Sequence, residues 1–180
     1  MRLCLLIITL ATIICSYGCK NIIDGNNRGT PQTTKAVPTK RDSLAREKDQ
    51  RLLSALYNKE AAVFNTIIPD LKNENRNIIL VVSKFDCVTC VEAGFNIIRQ
   101  IKKINRAAHT YVVGVTKEVY IPEQYKYTVY EDIDQNVQTA LNYAPTPVIL
   151  ILNGNRIIDL YSPYDSKSLF ATYFINEHSY

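Results

Sequence analysis

From residue 43 onward, apolar side chains recur first at helical spacing, then in short unbroken runs, then at helical spacing again, and together they outline one α/β domain. Ser43 is placed to cap a helix over 44–60, in which Leu44, Leu52, Leu53, Leu56 and Tyr57 form a broad apolar stripe. Residues 61–70 fit a continuing helix through Ala61 and Ala62, or an edge strand through Val63, Phe64, Ile67 and Ile68; Pro69 ends either one. The stretch 77–85 opens with the aliphatic run 78–82, the pattern of a central strand buried on both faces. Cys87-Val88-Thr89-Cys90 comes directly after it, and then Cys90, Ala93, Gly94, Ile97, Ile98, Ile101 and Ile104 recur at helical spacing. A second buried strand is predicted over 110–115, a short third over 127–130, and a short helix after Asp134 carrying Val137, Ala140 and Leu141. Pro147 introduces an apolar strand over 148–152 that stops at Asn153-Gly154, a hairpin signal that predicts an antiparallel return over 156–161. A last helix over about 166–175 is predicted to turn Leu169, Phe170, Tyr173 and Phe174 inward.

The amino-terminal part has a different texture. Residues 3–14 are an almost unbroken apolar run of 12 behind Met1-Arg2. That is shorter than the roughly 20 apolar residues a membrane-spanning helix needs, and it suits the core of an export signal. The segment that follows, Cys15-Ser16-Tyr17-Gly18-Cys19, resembles the lipobox of bacterial lipoproteins: a small residue stands directly before a cysteine that is acylated and becomes the new amino terminus. Gly18 and Cys19 carry the likeness, while Tyr17 is bulkier than the pattern and Ser16 replaces its usual aliphatic residue. The resemblance implies a signal peptide over 1–18, lipid on Cys19, and an exported, membrane-anchored protein facing the periplasm or the cell surface. Residues 20–42 are rich in Gly, Asn, Thr and Pro without apolar period, so 19–42 is expected to be a flexible tether and 43–180 the folded domain.

Composition narrows the partners. Of the 180 residues 47% are hydrophobic and 21% charged, which is enough apolar material for one buried core. The net charge of +4 is spread thinly, and no stretch interleaves Lys or Arg with aromatic rings, so nucleic acid is not an expected partner. Arg99, Lys102 and Lys103 fit the wet face of a helix, and the tyrosines at 120, 125, 127 and 130 fit rings that span core and solvent. His109 and His178 are expected to be surface or strand-edge residues.

The chemistry lies in the cysteines. Three of the five, Cys4, Cys15 and Cys19, fall in or at the end of the export signal, which leaves Cys87 and Cys90 as the thiols of the domain. A purely structural disulfide between them would close a very short loop and restrain little chain. A zinc site would need two further ligands, and the two histidines lack metal-site spacing, so no metal is expected; a thiol-based copper or zinc carrier stays as an alternative. Redox exchange is the reading that uses the pair fully.

Buried strand, Cys-x-x-Cys at a helix start, strand, proline-led hairpin and terminal helix is an order that resembles the thioredoxin fold over about 77–178. The long approach to Pro147, with its Asp-Ile-Asp-Gln-Asn-Val-Gln-Thr-Ala-Leu-Asn-Tyr stretch, looks more like the exported TlpA-type reductases than classical thioredoxin. The resemblance implies a three-layer α/β sandwich around a mixed sheet, and a thiol-disulfide oxidoreductase, a reductase by the TlpA-type likeness. Its partners would be protein thiols and disulfides, and it would need no cofactor beyond its own redox-active disulfide. Cys87, at the positive end of the helix, is then the exposed nucleophile, and Cys90, one turn later, the more buried resolving thiol. Val88 and Thr89 shape the loop between them. A cis-proline faces the motif in such proteins; Pro147 fits best, Pro145 is the alternative, and Thr146 becomes the residue whose backbone meets substrate. Two departures stand out: Asp86 occupies the place of a tryptophan before the first cysteine, and Val81 that of a buried acid. Asp86 or solvent must therefore move the proton, unless Asp86 only caps the helix. The rival to the enzyme is a non-catalytic lipoprotein module that keeps the fold to bind a partner.

Overall fold

The computed structural model of the chain describes residues 40–72 and 76–180. The expected signal peptide, Cys19 and all but the last residues of the expected tether lie outside the described residues. A first helix, α1 (Lys40–Leu56), begins before Ser43, so the folded part starts inside the stretch expected to be tether and Ser43 is not its first residue. The sequence 40–56 holds no Gly or Pro and is rich in Lys, Arg, Glu, Leu and Ala, all strong helix formers. The helix ends at Leu56 instead of running to residue 60. Asn58 takes a φ of 59°, a left-handed conformation that Asn tolerates, and its N–H donates to the Ile157 carbonyl at 2.7 Å. Glu60 then bridges Arg156, so the chain leaves the helix to pair briefly with the sheet edge. The ambiguous stretch after it resolves as a short helix, α2 (Val63–Ile67), with Phe64 fully buried.

The sheet is built from β1 (Arg76–Val82), β2 (His109–Gly114), β3 (Val129–Glu131), β4 (Val148–Asn153) and β5 (Arg156–Tyr161), in the order β3-β2-β1-β4-β5. α3 (Val88–Ile104) carries the chain from β1 back to a parallel β2, and β3 adds parallel to β2 after a long connection. α4 (Asn136–Ala140) precedes β4, which enters antiparallel to β1, and α5 (Leu169–Glu177) closes the domain. The expected arrangement is therefore present: a central mixed sheet between layers of helix, with the strand order of a thioredoxin-like fold.

Alternation along β1 explains the three layers. Ile79 and Val81 point into one core with Leu56, Phe64, Val113, Leu150 and Leu160; Ile78, Leu80 and Val82 point into the other with Phe95, Ile98, Ile101 and Phe174. Each such side chain contributes about 1.5–3 kcal/mol relative to an exposed one, which is why a run buried on both faces must be central. The hairpin between β4 and β5 turns at Gly154-Asn155, with positive φ at Gly154 and not at Asn155, the pattern of a type II′ turn in which glycine takes the first central position.

Several faces differ from expectation. Along the expected stripe, Leu56 is buried and Leu52 and Leu53 are partly covered, but Leu44 on α1 and Tyr57 just beyond its end are exposed, and Asp49 lies on the buried face of α1 instead. Ile104 is exposed where α3 ends. On α5, Leu169 and Tyr173 face solvent, and Ala171 and Ile175 are buried alongside Phe174. Phe174 stacks on Tyr161 at 5.1 Å and meets the His178 ring edge-on at 4.6 Å, which sets the phase of that helix. His178 is accordingly buried, not a surface residue, and its Nε2 lies 2.7 Å from Asp159 Oδ2.

Candidate active site

The pairing of β1 with β4 brings the site together. Because the strands are antiparallel with Val81 opposite Val148, whatever follows Val82 must lie beside whatever precedes Val148. The first is the turn 83–87 that ends at the cysteine motif; the second is the segment Pro145-Thr146-Pro147. The Thr146–Pro147 peptide is cis, and Pro147 is buried while Pro145 is exposed. The segment arrives from α4 through two successive left-handed residues, Asn142 (φ 52°) and Tyr143 (φ 55°).

Cys87 and Cys90 are joined by a disulfide, with their Cα atoms 5.3 Å apart. Cys87 is the N-cap of α3: its Sγ accepts from the Cys90 N–H at 3.2 Å, and its carbonyl accepts from the Cys90 and Val91 N–H groups at 3.0 Å. Cys87 is exposed and Cys90 half-buried. The Thr89 hydroxyl lies 3.5 Å from Cys87 Sγ, while Val88 faces solvent. The cap assignment corrects one reading of Asp86, whose carboxylate does not cap the helix.

Asp86 instead ties the two halves of the site together. Its Oδ2 accepts from the Ser83 N–H at 2.7 Å, closing the turn after β1, and its Oδ1 accepts from the Thr146 hydroxyl at 2.6 Å, reaching across to the proline segment. Burial pushes its carboxyl above the ordinary value of 3.8, against the pull of the Thr146 and Ser83 hydrogen bonds. Val81, at the position where the resemblance implied an acid, is fully buried among apolar side chains.

A cavity of about 240 Å³ opens onto the disulfide. Cys87, Cys90, Asp86, Pro145, Thr146 and Pro147 all line it, so every residue expected at the site contributes except Val88 and Thr89. Sequence reasoning missed the remaining wall: Lys48 from α1, Phe85 from the cysteine turn, and Ser162, Pro163 and Tyr164 from the end of β5. Phe85 was legible as an anomaly, a phenylalanine in a turn between a strand and a helix, and it is 82% exposed with Lys84 Nζ 5.2 Å from its ring centre. Ser162 and Lys48 carried no comparable signal, since each reaches the site only through the packing of β5 and α1.

Among solved structures the chain is similar to thioredoxin O2 from Arabidopsis thaliana in its oxidized state, with 14% identity and a TM-score of 0.46 over 68% of this chain and 91% of that one. It is also similar to a secreted Mycobacterium tuberculosis disulfide oxidoreductase, with 12% identity and a TM-score of 0.45 over 62% and 84% of the two chains. A third similar structure is the thioredoxin domain of a thiol-disulfide oxidoreductase from Bacteroides vulgatus, with 11% identity and a TM-score of 0.42 over 58% and 81%. No family model and no curated protein matches the chain.

Proposed function

We propose that this chain is a thiol-disulfide oxidoreductase that acts on protein disulfides outside the cytoplasm, held at a membrane by lipid on Cys19, and working in the reducing direction. One observation carries the catalytic part: a closed Cys87–Cys90 disulfide at the start of a helix, Cys87 exposed, facing a cis-proline segment across an open cavity. An inert staple needs neither the exposure nor the facing segment.

In the reduced protein the Cys87 thiolate is stabilised by the amide groups at the start of α3, above all the Cys90 N–H that already points at its sulfur. It attacks one sulfur of a substrate disulfide, forms a mixed disulfide, and expels the other substrate sulfur as thiolate. Cys90 then loses its proton and attacks Cys87 Sγ; the Cys87–Cys90 bond forms, the mixed disulfide breaks, and the second substrate sulfur leaves. Two electrons pass from the cysteine pair to the substrate, whose two thiolates take up protons. The Thr146 hydroxyl is turned to Asp86, so the substrate chain meets Thr146 through its main chain, beside Pro147.

The test is Cys90→Ala in the full-length protein. The variant should accumulate mixed disulfides at Cys87 that run as higher-mass species and vanish on reduction, and Cys87→Ser should form none. Absence of such species, together with failure of the unaltered protein to exchange with a model disulfide, would rule the enzyme out. The direction follows from the reduction potential: a value near that of reductases, about −270 mV, supports reduction, and one near about −120 mV reverses the assignment. Cys19→Ala should move the protein from the membrane fraction to the soluble one.

A further inference from the structure

Resolution of the mixed disulfide requires Cys90 to lose a proton, and neither Val81 nor Asp86 offers it an oxygen without a hydrogen bond. Val81 is apolar, and both oxygens of Asp86 already accept hydrogen bonds. Two other acidic side chains are buried among the described residues. Asp132 spends both oxygens on the Asn136 and Val137 N–H groups at the start of α4. Asp49, 1% exposed on α1, spends one: its Oδ2 accepts from the Ser162 N–H at 2.9 Å, while its Oδ1 makes no hydrogen bond of good geometry. The Ser162 hydroxyl, also buried, likewise makes none, yet it lies close enough to the carboxyl to act on its ionisation. Ser162 is at the same time part of the wall of the cavity that Cys90 lines, and so is Lys48, the residue before Asp49. A buried carboxyl with spare acceptor capacity therefore stands directly behind the wall of the disulfide's own cavity. That cavity, about 240 Å³, has room for several water molecules at roughly 30 Å³ each.

We propose that Asp49, acting through the Ser162 hydroxyl, takes the proton from the Cys90 thiol during resolution and returns it when exchange runs the other way. The inference rests on the exchange reading above and adds to it the residue that moves the proton, supplied by a helix that precedes the part of the chain resembling thioredoxin. As the Cys90 S–H bond ionises, its proton passes by way of the cavity to the Ser162 oxygen, the hydroxyl proton passes to Asp49, and the carboxylate becomes a neutral acid. The Cys90 thiolate then forms the new S–S bond and displaces the substrate sulfur. Asp49 is suited to this because burial raises its affinity for a proton above that of an exposed aspartate. The charges around it are Arg46 and Lys48 from its own helix, which favour its ionised form. Of the elements packed against α1, β5 carries Asp159, which is engaged with His178, and α5 carries Tyr173, which is engaged with Glu177. Asp49 is a positioning and relay residue; it does not touch the reacting sulfurs.

The experiment separates the two steps of exchange. Full-length protein, reduced and then mixed with a model disulfide, is followed by rapid quenching for formation and decay of the mixed disulfide between pH 5.5 and 9.5, in the unaltered protein and in Asp49→Asn, Asp49→Glu and Ser162→Ala. Asparagine keeps an acceptor for the Ser162 N–H, and alanine keeps that N–H itself, so neither change removes the tie between α1 and β5. Formation of the mixed disulfide should be unchanged in Asp49→Asn, while its decay at pH 6 should slow about 100-fold, the size of one general-base contribution. The deficit should shrink as the pH passes the ordinary thiol value of about 8.5, where Cys90 ionises unaided. Asp49→Glu should recover much of the decay rate at pH 6, and Ser162→Ala should share the defect. Equal decay in Asp49→Asn and unaltered protein at every pH would overturn the proposal and leave the exchange reading intact. A uniform loss at all pH values without rescue by Glu would overturn it in favour of a purely structural role. No mixed disulfide in the unaltered protein would remove the exchange reading itself.

Discussion

The bond between Asp86 and Thr146 joins residues 60 apart in sequence, and a double-mutant cycle across it measures how firmly the two loops of the site are held together. Thr146→Val keeps the shape of the side chain and removes the donor; Asp86→Ala removes the acceptor and also leaves the Ser83 N–H without its partner. A hydrogen bond to a charged group contributes about 1.5–3 kcal/mol. Asp86 is only half-buried, and solvent can stand in for Thr146 once that hydroxyl is gone, so the lower part of the range applies. The coupling energy should be about 1–2 kcal/mol at pH 7, read from urea unfolding of the oxidised single and double variants at constant m-value. Asp86→Asn should cost less than Asp86→Ala, because the amide oxygen can accept from Ser83 while its NH₂ donates to the Thr146 hydroxyl. A coupling within about 0.3 kcal/mol of zero would mean that the register of β1 and β4 alone holds the loops together, and that Asp86 has no organising role.

Other changes probe the scaffold around the site. Gly94→Ala on α3 would set its Cβ 2.9 Å from Leu80 Cδ1 and 3.3 Å from Pro163 Cγ; since Leu80 is fully buried, the overpacking cost of about 1–3 kcal/mol should exceed the helix-propensity gain of about 1 kcal/mol, and the thermal midpoint should fall. Tyr143→Gly relieves a left-handed backbone at an exposed position, and should raise stability by about 0.5–1 kcal/mol in the same urea assay, after allowance for the freedom glycine adds to the unfolded chain. Asp49 holds its proton more tightly folded than unfolded, so its contribution to stability is most favourable at low pH and declines as pH rises from 3.8 through the raised folded-state value. The difference in urea midpoint between unaltered protein and Asp49→Asn should therefore shift against the unaltered protein across that window, and parallel curves would contradict the burial of an ionisable carboxyl.

How much of this was legible in the sequence depends on whether a residue's role was set locally. The strand over 78–82, the helix after the cysteines and the Gly154 turn follow from runs, periods and turn chemistry that a window of ten residues contains. Pro147 could be placed opposite the cysteines only through the likeness to thioredoxin, in which a cis-proline faces the motif; the apolar run and turn directly after it favoured it over Pro145, and the pairing of β1 with β4 is what brings it there. Asp49 was missed for a different reason. It stands at i relative to Leu52, Leu53 and Leu56 at i+3, i+4 and i+7, squarely on the apolar stripe, but hydropathy assigns an aspartate to solvent. Its burial makes sense only with the Ser162 N–H, 113 residues away. The phase of α5 failed similarly: Leu169 and Tyr173 were expected inward, whereas the stripe actually buried is Ala171, Phe174, Ile175 and His178, again i, i+3, i+4 and i+7. In both helices the period was present, and the polar residue that completes the buried stripe was not counted in it.

The two aspartates near the disulfide answer different needs, and their geometry explains why one could not serve both. A carboxylate directly before Cys87 opposes formation of the thiolate, since like charges at such separation raise the cost of ionising the sulfur. The structure accepts that cost and turns both oxygens of Asp86 away into bonds with Ser83 and Thr146, where the charge fixes the shape of the cavity. A proton acceptor must instead change its charge during the reaction, and if Asp86 did so it would loosen the loops at the moment substrate is bound between them. Placing the acceptor on α1, behind Ser162, lets one carboxyl gain and lose a proton while the other keeps the walls of the cavity in register. On this arrangement, the pH dependence of mixed-disulfide decay should follow Asp49, whereas the coupling between the two loops of the site should follow Asp86.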